Sequence, residues 1–391
     1  MQITGIEPII LSYPLEEPLP PSAARPEITE LDMYLVRLET DEGVSAYGEA
    51  WLKDELELAA AVDFFAGTVG DADAGDRGLV FERMMTRLAD LASDLPEPAV
   101  RDHCAVLSAI DTALWDLAGR QLGVSVARLL GGVRTRRIDS YITGLYLESF
   151  ETLETKAKGF VEDGWWALKM KLDGDLQRDV ETVNALRKSL GNQVIVMADA
   201  NGAYETYDDA REMGDVLGKN DIFWFEEPMP AGSWEEYAKL ARTVEPPIAG
   251  GETLYGVRQF YNALWKNSMH VVMPDPRLCG GISAIEVIGG VARLFDTRLS
   301  LHSWISPIAL MAAANVTAAL PYATYLELDS HTPVLMEEMF EDAPEFDHGF
   351  LLFEDKPGLG VTVAEGFIEQ HRRPPDSGAE GDSGKAAGEE T

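Results

Sequence analysis

Two lysines one residue apart, Lys169 and Lys171, stand in the apolar stretch Ala167–Leu172. As a short buried strand this stretch aims both amines the same way. Buried amines are costly unless neighbouring groups use them. Three acidic residues follow the apolar runs that come next: Asp199 after Val194–Ala198, Glu226 after Ile222–Phe225 and Glu252 after Pro247–Gly251. Carboxylates converging from successive strands repel one another. A hard divalent cation removes that conflict, and all-oxygen ligands suit Mg2+. Each acid alone reads as an ordinary ion-paired or capping group; three at consecutive strand ends point to a metal.

Lys171 is the candidate base, because Lys169 and a cation beside it would both lower its pKa. The competing reading pairs the two lysines with the carboxylates. Lys169 is the candidate for holding or polarising a substrate carboxylate. His302 follows Arg298–Leu301, and Asp275 follows His270–Met273 one unit earlier, placed to accept from the imidazole and set its basicity. Glu327, after Ala323–Leu326, would donate to a developing oxyanion if protonated, or else pair with a loop arginine. Asn201 contacts substrate or orients a ligand. Arg277, with Gly280–Gly281, shapes the loop after Asp275 or reaches an anionic group. Glu227 points away from Glu226 and lies behind it.

These polar residues recur at intervals of 28, 27, 26, 23, 27 and 25 residues from Lys171 to Glu327. Amphipathic segments such as Leu176–Leu190 and Trp234–Thr243 lie between them. A strand, a helix and two short loops need about that many residues. Chained βα units close into a barrel whose active groups sit where strands end, which puts His302 across the mouth from Lys171. Val133–Ile142 holds the first barrel strand. Residues 1–125 read as a separate α+β unit: strands in Ile3–Tyr13 and Asp32–Thr40, an aperiodic loop Pro14–Ile28, and helices over Leu56–Phe65, Leu79–Leu91 and Val100–Leu122. The barrel takes 126–330. Residues 331–371, with a β segment in His348–Val363, return to the first unit, and 372–391 read as a disordered acidic tail.

The 391 residues carry a formal net charge of −35, which argues against nucleic acid or an anionic membrane as partner. The acidic excess is either a well-solvated surface or adaptation to high salt. No apolar run reaches the ~18 residues of a membrane span. No signal peptide is visible. Two cysteines, Cys104 and Cys279, give neither a disulfide framework nor a metal spacing, and suit a reducing, cytoplasmic setting.

The motifs K-M-K at 169–171, D-A-N at 199–201, E-E-P at 226–228, G-G-E at 250–252, P-D at 274–275 and L-H-S at 301–303 resemble the mandelate racemase subgroup of the enolase superfamily. The helix Ala109–Gly119 resembles a signature of the same group. The resemblance implies an α/β fold: a (β/α)7β TIM-like barrel with an α+β capping domain built from both chain ends. It implies Mg2+ at Asp199, Glu226 and Glu252, and removal of the proton next to a substrate carboxylate. Lys171 acts on one face, His302 with Asp275 on the other, and Glu327 lies near the substrate carboxylate. Substrate choice falls to capping loops, here Pro14–Ile28 and about Trp51–Glu55, which makes Trp51 a substrate contact. The expected substrate is a small carboxylate, an acid sugar or 2-hydroxy acid, and the expected reaction is dehydration. Racemisation or epimerisation, lactone cycloisomerisation, and a metal-binding barrel without turnover are the alternatives. Such barrels associate, so a homo-oligomer is expected.

Overall fold

The computed structural model describes residues 1–92 and 95–373. Strands β1 (Ile3–Leu19), β2 (Ile28–Thr40) and β3 (Ser45–Ala50) form an antiparallel sheet in the order β1-β2-β3. Alternation along β2 explains its two buried faces: Val36 and Leu38 pack on the cap helices, while Met33 and Leu35 join the core shared with the barrel. Helices Leu56–Val69, Arg77–Leu91 and Glu97–Leu122 complete this unit. The last is buried from Val100 to Gly119 and stops at Gly123, whose φ of 68° suits a residue without a Cβ. Its small residues allow close approach. A Cβ on Gly48 would lie 1.8 Å from the Ala109 carbonyl oxygen, and one on Gly119 would lie 2.7 Å from Gly358 Cα.

Eight parallel strands follow: β4 (Arg137–Leu145), β5 (Ala167–Lys171), β6 (Ile195–Asp199), β7 (Phe225–Glu226), β8 (Ile248–Gly250), β9 (Val271–Val272), β10 (Arg298–Leu299) and β11 (Leu326–Asp329). Each pairs with the next from β4 to β10. Pairing of β11 with β4, and a bridge from Leu299 to Ala323, close the ring. A helix joins every successive pair, from Phe150–Glu162 through Pro307–Ala319, giving a (β/α)7β barrel under an α+β cap. Among the described residues no helix is long and apolar enough to cross a membrane.

Four expectations change. First, Pro14–Ile28 is not one loop: β1 continues through Pro14 to Leu19, with a register shift between them, leaving 20–27 as the loop. As β1 is an edge strand, the missing N–H of Pro14 costs no ladder bond. Second, the first barrel strand starts at Arg137, because Gly131 and Gly132, at φ 120° and 124°, belong to the connection before it. Third, Glu327 is the second residue of β11 rather than the residue after it, since β11 runs on to Asp329.

Fourth, the C-terminal β segment does not go straight to the cap. Strands β12 (Glu345–Asp347) and β13 (Phe350–Leu352) form a hairpin, and β13 pairs antiparallel with Arg137–Asp139 of β4. Those residues precede the parallel register of β4 and offer an open edge. Only then does the chain reach the cap. Leu359 N donates to Asp116 (2.7 Å), and helix Glu365–His371 sets Phe367 against Tyr13. Arg372 and Arg373 still belong to this packing, the Arg373 N–H donating to Ile10 O. The rest of the predicted tail lies outside the described residues.

Candidate active site

Period-2 alternation places the chemistry. Ala167, Met197, Trp224, Ala249, Val271 and Met273 fill the barrel interior as an apolar plug. Two residues further along their strands, Lys169, Asp199 and Glu226 point to the same axis. Trp224 Nε1 donates to Glu226 Oε2 (3.1 Å), so the plug itself orients a carboxylate.

Asp199, Glu226 and Glu252 converge: one oxygen from each lies within 4.8 Å of the other two. All three are buried. Without a cation this is an unfavourable arrangement. Burial, then Asp199, pushes Glu226 up to about 7, and burial drives Glu252 well above its ordinary range. Asp199 alone is lowered: burial opposes its charge, but Lys171 and Lys169 outweigh it. Among the described residues, Glu252 Oε2 and Asn201 Oδ1 are buried with no hydrogen-bond partner. Three hard oxygen donors around one point, one of them orphaned, fit Mg2+.

Both lysines are paired, as the more conservative reading had it. Lys171 Nζ lies 2.5 Å from Asp199 Oδ2. Burial opposes its charge, yet Asp199 raises its pKa, opposite to the lowering expected. That expectation presupposed a cation on the trio; with bare carboxylates the sign reverses. Lys169 is fully buried, 3.0 Å from Glu226 Oε1 and 2.8 Å from Glu327 Oε1. It neutralises carboxylates and does not line the cavity described below. Glu327 also accepts from Thr143 (2.7 Å) and the Ser303 N–H (3.2 Å). Burial would raise it, but Lys169 and His302 hold it well below the usual carboxylate range. It is therefore an acceptor, not the protonated donor considered from sequence.

His302 Nδ1 bonds Asp275 Oδ2 at 2.7 Å, leaving Nε2 3.4 Å from Glu252 Oε2. Burial opposes the imidazolium, but Glu252, Glu327 and Asp275 raise its pKa. Trp51 stacks on the ring with centroids 5.5 Å apart. Arg277 is buried and forked on Asp275 (Nε 3.0 Å, Nη2 2.7 Å), which it holds, against burial, at about 2. Its Nη1 reaches Glu49 of β3 (3.4 Å), and Glu49 accepts from Ser306 (2.5 Å). Arg277 thus sets the imidazole's partner and does not line the cavity. Asn201, at φ 45°, donates its N–H to Asp199 (2.8 Å) and lines the cavity. Glu227 is buried, at φ 39°, and burial and Asp199 push it up to about 8.

Lys171 and His302 flank the trio from opposite edges, Lys171 on Asp199 and His302 on Glu252. Both line one cavity of about 220 Å³, with Trp51, Asn201 and Glu252. Arg25, Tyr146 and Trp304 complete its wall without having been singled out by sequence. Trp304 stands two residues after His302, so the strand-end rule could have found it. Tyr146 was hidden by ending the first strand too early. Arg25 lay in an aperiodic stretch, and nothing marked Glu49.

A barrel carrying a carboxylate trio between an amine and an imidazole, roofed by a cap that contributes Trp51, defines a class of carbon-acid enzymes. The family model for the mandelate racemase / muconate lactonizing enzyme N-terminal domain matches residues 7–131, and that for the enolase C-terminal domain-like region matches 152–367. The chain belongs to the enolase superfamily, in its mandelate racemase / muconate lactonizing enzyme group. It is 34% identical over 272 residues to an arabinonate dehydratase of Saccharolobus solfataricus, covering 68% of this chain and 72% of that one. A 3,6-anhydro-D-galactonate cycloisomerase of Zobellia galactanivorans superposes with a TM-score of 0.85 at 30% identity, covering 96% and 100%. A racemase of Streptomyces coelicolor with bound magnesium does so at 0.83 and 26%, covering 95% and 100%.

Proposed function

We propose that this chain is a Mg2+-dependent enzyme that removes the proton α to the carboxylate of an acid sugar and expels the β-hydroxyl, giving a 2-keto-3-deoxy acid. The supporting observation is the placement of Lys171 and His302 on opposite edges of the Asp199, Glu226 and Glu252 trio, both facing one cavity. The similarity to a dehydratase, a cycloisomerase and a magnesium-bound racemase agrees with this chemistry.

The obstacle is the weak acidity of a carbon next to a carboxylate. Asp199, Glu226 and Glu252 would hold Mg2+, which when bound would supply positive charge to offset the carboxylates around Lys171 and the charge developing on the substrate. Lys171 Nζ, on the cavity wall, is the group placed to accept the α-proton in its neutral form. His302, with Nδ1 fixed by Asp275, presents a protonated Nε2 to the opposite side and delivers that proton to the departing hydroxyl. Water leaves, and the resulting enol becomes the keto acid. Lys169 holds Glu226 and Glu327 in place and keeps Glu327 ionised. The same two groups would epimerise a substrate lacking a leaving group, because one face is deprotonated and the other reprotonated.

The test is a screen of acid sugars with Mg2+ in D2O. A semicarbazide-reactive product should form with solvent deuterium at C3, and substrate returned after reversible abstraction should carry deuterium at its α-carbon. Exchange with altered rotation and no keto product would mean epimerisation; neither deuterium exchange nor keto product with any acid would end the proton-abstraction reading. We also infer a reducing compartment, since Cys104 and Cys279 are buried free thiols. Copies are expected to associate, which light scattering would decide.

A further inference from the structure

The cavity has a second charged end. On its cap side the loop 20–27 contributes Ser22, Ala24 and Arg25. The Arg25 guanidinium lies over two rings, 5.2 Å from the Tyr146 centroid and 5.1 Å from that of Trp304. Both rings are fixed from behind. Trp304 Nε1 donates to Tyr146 Oη (2.9 Å), and Tyr146 Oη donates to Asp329 Oδ2. Asp329 in turn accepts from the His331 N–H (2.9 Å). Arg25 Nη1 donates to Pro26 O (2.9 Å) and Leu19 O (3.4 Å). Its Nη2 is buried and, among the described residues, has no partner.

A planar cation on the cavity wall, clamped on two braced rings and with one fork nitrogen making no hydrogen bond, is suited to receive an anion. Asp329, behind Tyr146, offsets that charge only in part, and burial still lowers the Arg25 pKa. An uncharged hydroxyl would satisfy the nitrogen but leave the half-buried guanidinium with only the distant, Tyr146-bonded Asp329 as counter-charge. The substrate's reacting carboxylate is already committed to the trio at the other end. We propose that Arg25 binds a second carboxylate, so that the substrate is a dicarboxylic acid sugar, ionised at both ends, and not a monoacid ending in CH2OH. The proposal rests on the acid-sugar reading above and narrows it.

Two pairs of probes separate the possibilities: galactarate with galactonate, and glucarate with gluconate. Within each pair the ring of hydroxyls is kept and only C6 changes. The Mg2+-loaded enzyme should favour a diacid over its monoacid in kcat/KM by about 10- to 100-fold, the range of a charge-assisted hydrogen bond. Arg25→Gln should remove that preference, lowering kcat/KM for the diacid about 10- to 100-fold more than for the monoacid. Arg25→Lys, which keeps charge but not the fork, should restore part of it. Preference for the monoacid, or equal loss on both acids in Arg25→Gln, would overturn the proposal. Deuterium exchange separates this from failure of the parent reading: exchange restricted to monoacids refutes only the dicarboxylate. If neither acid exchanges, calorimetric binding of the same probes decides. Tighter, Arg25-dependent binding of a diacid upholds the subsite, and indifference to Arg25 ends it.

Discussion

Replacing Asp275 with Asn tests how the imidazole is powered. The carboxylate accepts four donors: His302 Nδ1 (2.7 Å), the Arg277 N–H (2.7 Å), Arg277 Nε (3.0 Å) and Arg277 Nη2 (2.7 Å). An amide has one acceptor oxygen, and its NH2 would face donors. A hydrogen bond to a charged partner contributes about 1.5–3 kcal/mol. If His302 loses it as the proton transfers, product formation should fall about 10- to 100-fold. Arg277 would keep only Glu49, and breaking a buried pair costs about 3 kcal/mol of stability, read by urea unfolding. Lys171 is untouched, so α-deuterium exchange should fall less than product formation. The sign of the pH effect follows. Asp275 helps raise the His302 pKa, so without it the imidazolium is lost at lower pH and the alkaline limb moves down. A folded variant with unchanged turnover and an unmoved alkaline limb would refute this role for Asp275.

Glu252→Gln should weaken Mg2+ binding by at least about tenfold in calorimetric titration, and activity with it; unchanged metal affinity would remove Glu252 from the ligand set. Asp111, buried where the long cap helix meets Ser283, is pushed by burial up to about 7. Its folded form holds a proton that the unfolded chain releases near 4, so stability should fall as pH rises from about 4 to 7. Asp111→Asn should flatten that slope in melts at pH 4.5 and 7.5, by at most ~4 kcal/mol; parallel slopes would disprove it. Gly48→Ala should cost about 3 kcal/mol because its Cβ meets the Ala109 carbonyl at 1.8 Å. Gly67→Ala, with nothing within 4 Å, is the control and should be neutral or stabilising. Equal melting temperatures for the two would contradict the packing.

The barrel and its site were legible because both follow from period. A strand every 23 to 28 residues, ending in a group that can bind or move a proton, locates Lys171, Asp199, Glu226, Glu252 and His302 before any coordinates exist. Charge states were not legible. The Lys171 shift reversed because the balance between burial and Asp199 depends on a 2.5 Å contact and on whether a cation shares it. Of the two readings open for Glu327 the structure shows an ion pair, with Lys169 at 2.8 Å in place of a loop arginine. Contacts between distant segments were also hidden. Glu49, from the cap, reaches Arg277, 228 positions away, and no local pattern announces it. Arg25 was invisible because loop 20–27 has no period to betray its direction.

The route from Glu49 through Arg277 and Asp275 to His302 crosses from one unit of the chain to the other. The proposed proton donor, His302, is thus anchored in part from outside the barrel that bears it. A hybrid joining this barrel to a relative's first fifty residues would forfeit imidazole tuning unless position 49 stayed acidic. The 20–27 segment, which also lines the cavity, takes no part in that route, so its exchange would leave the support of His302 in place.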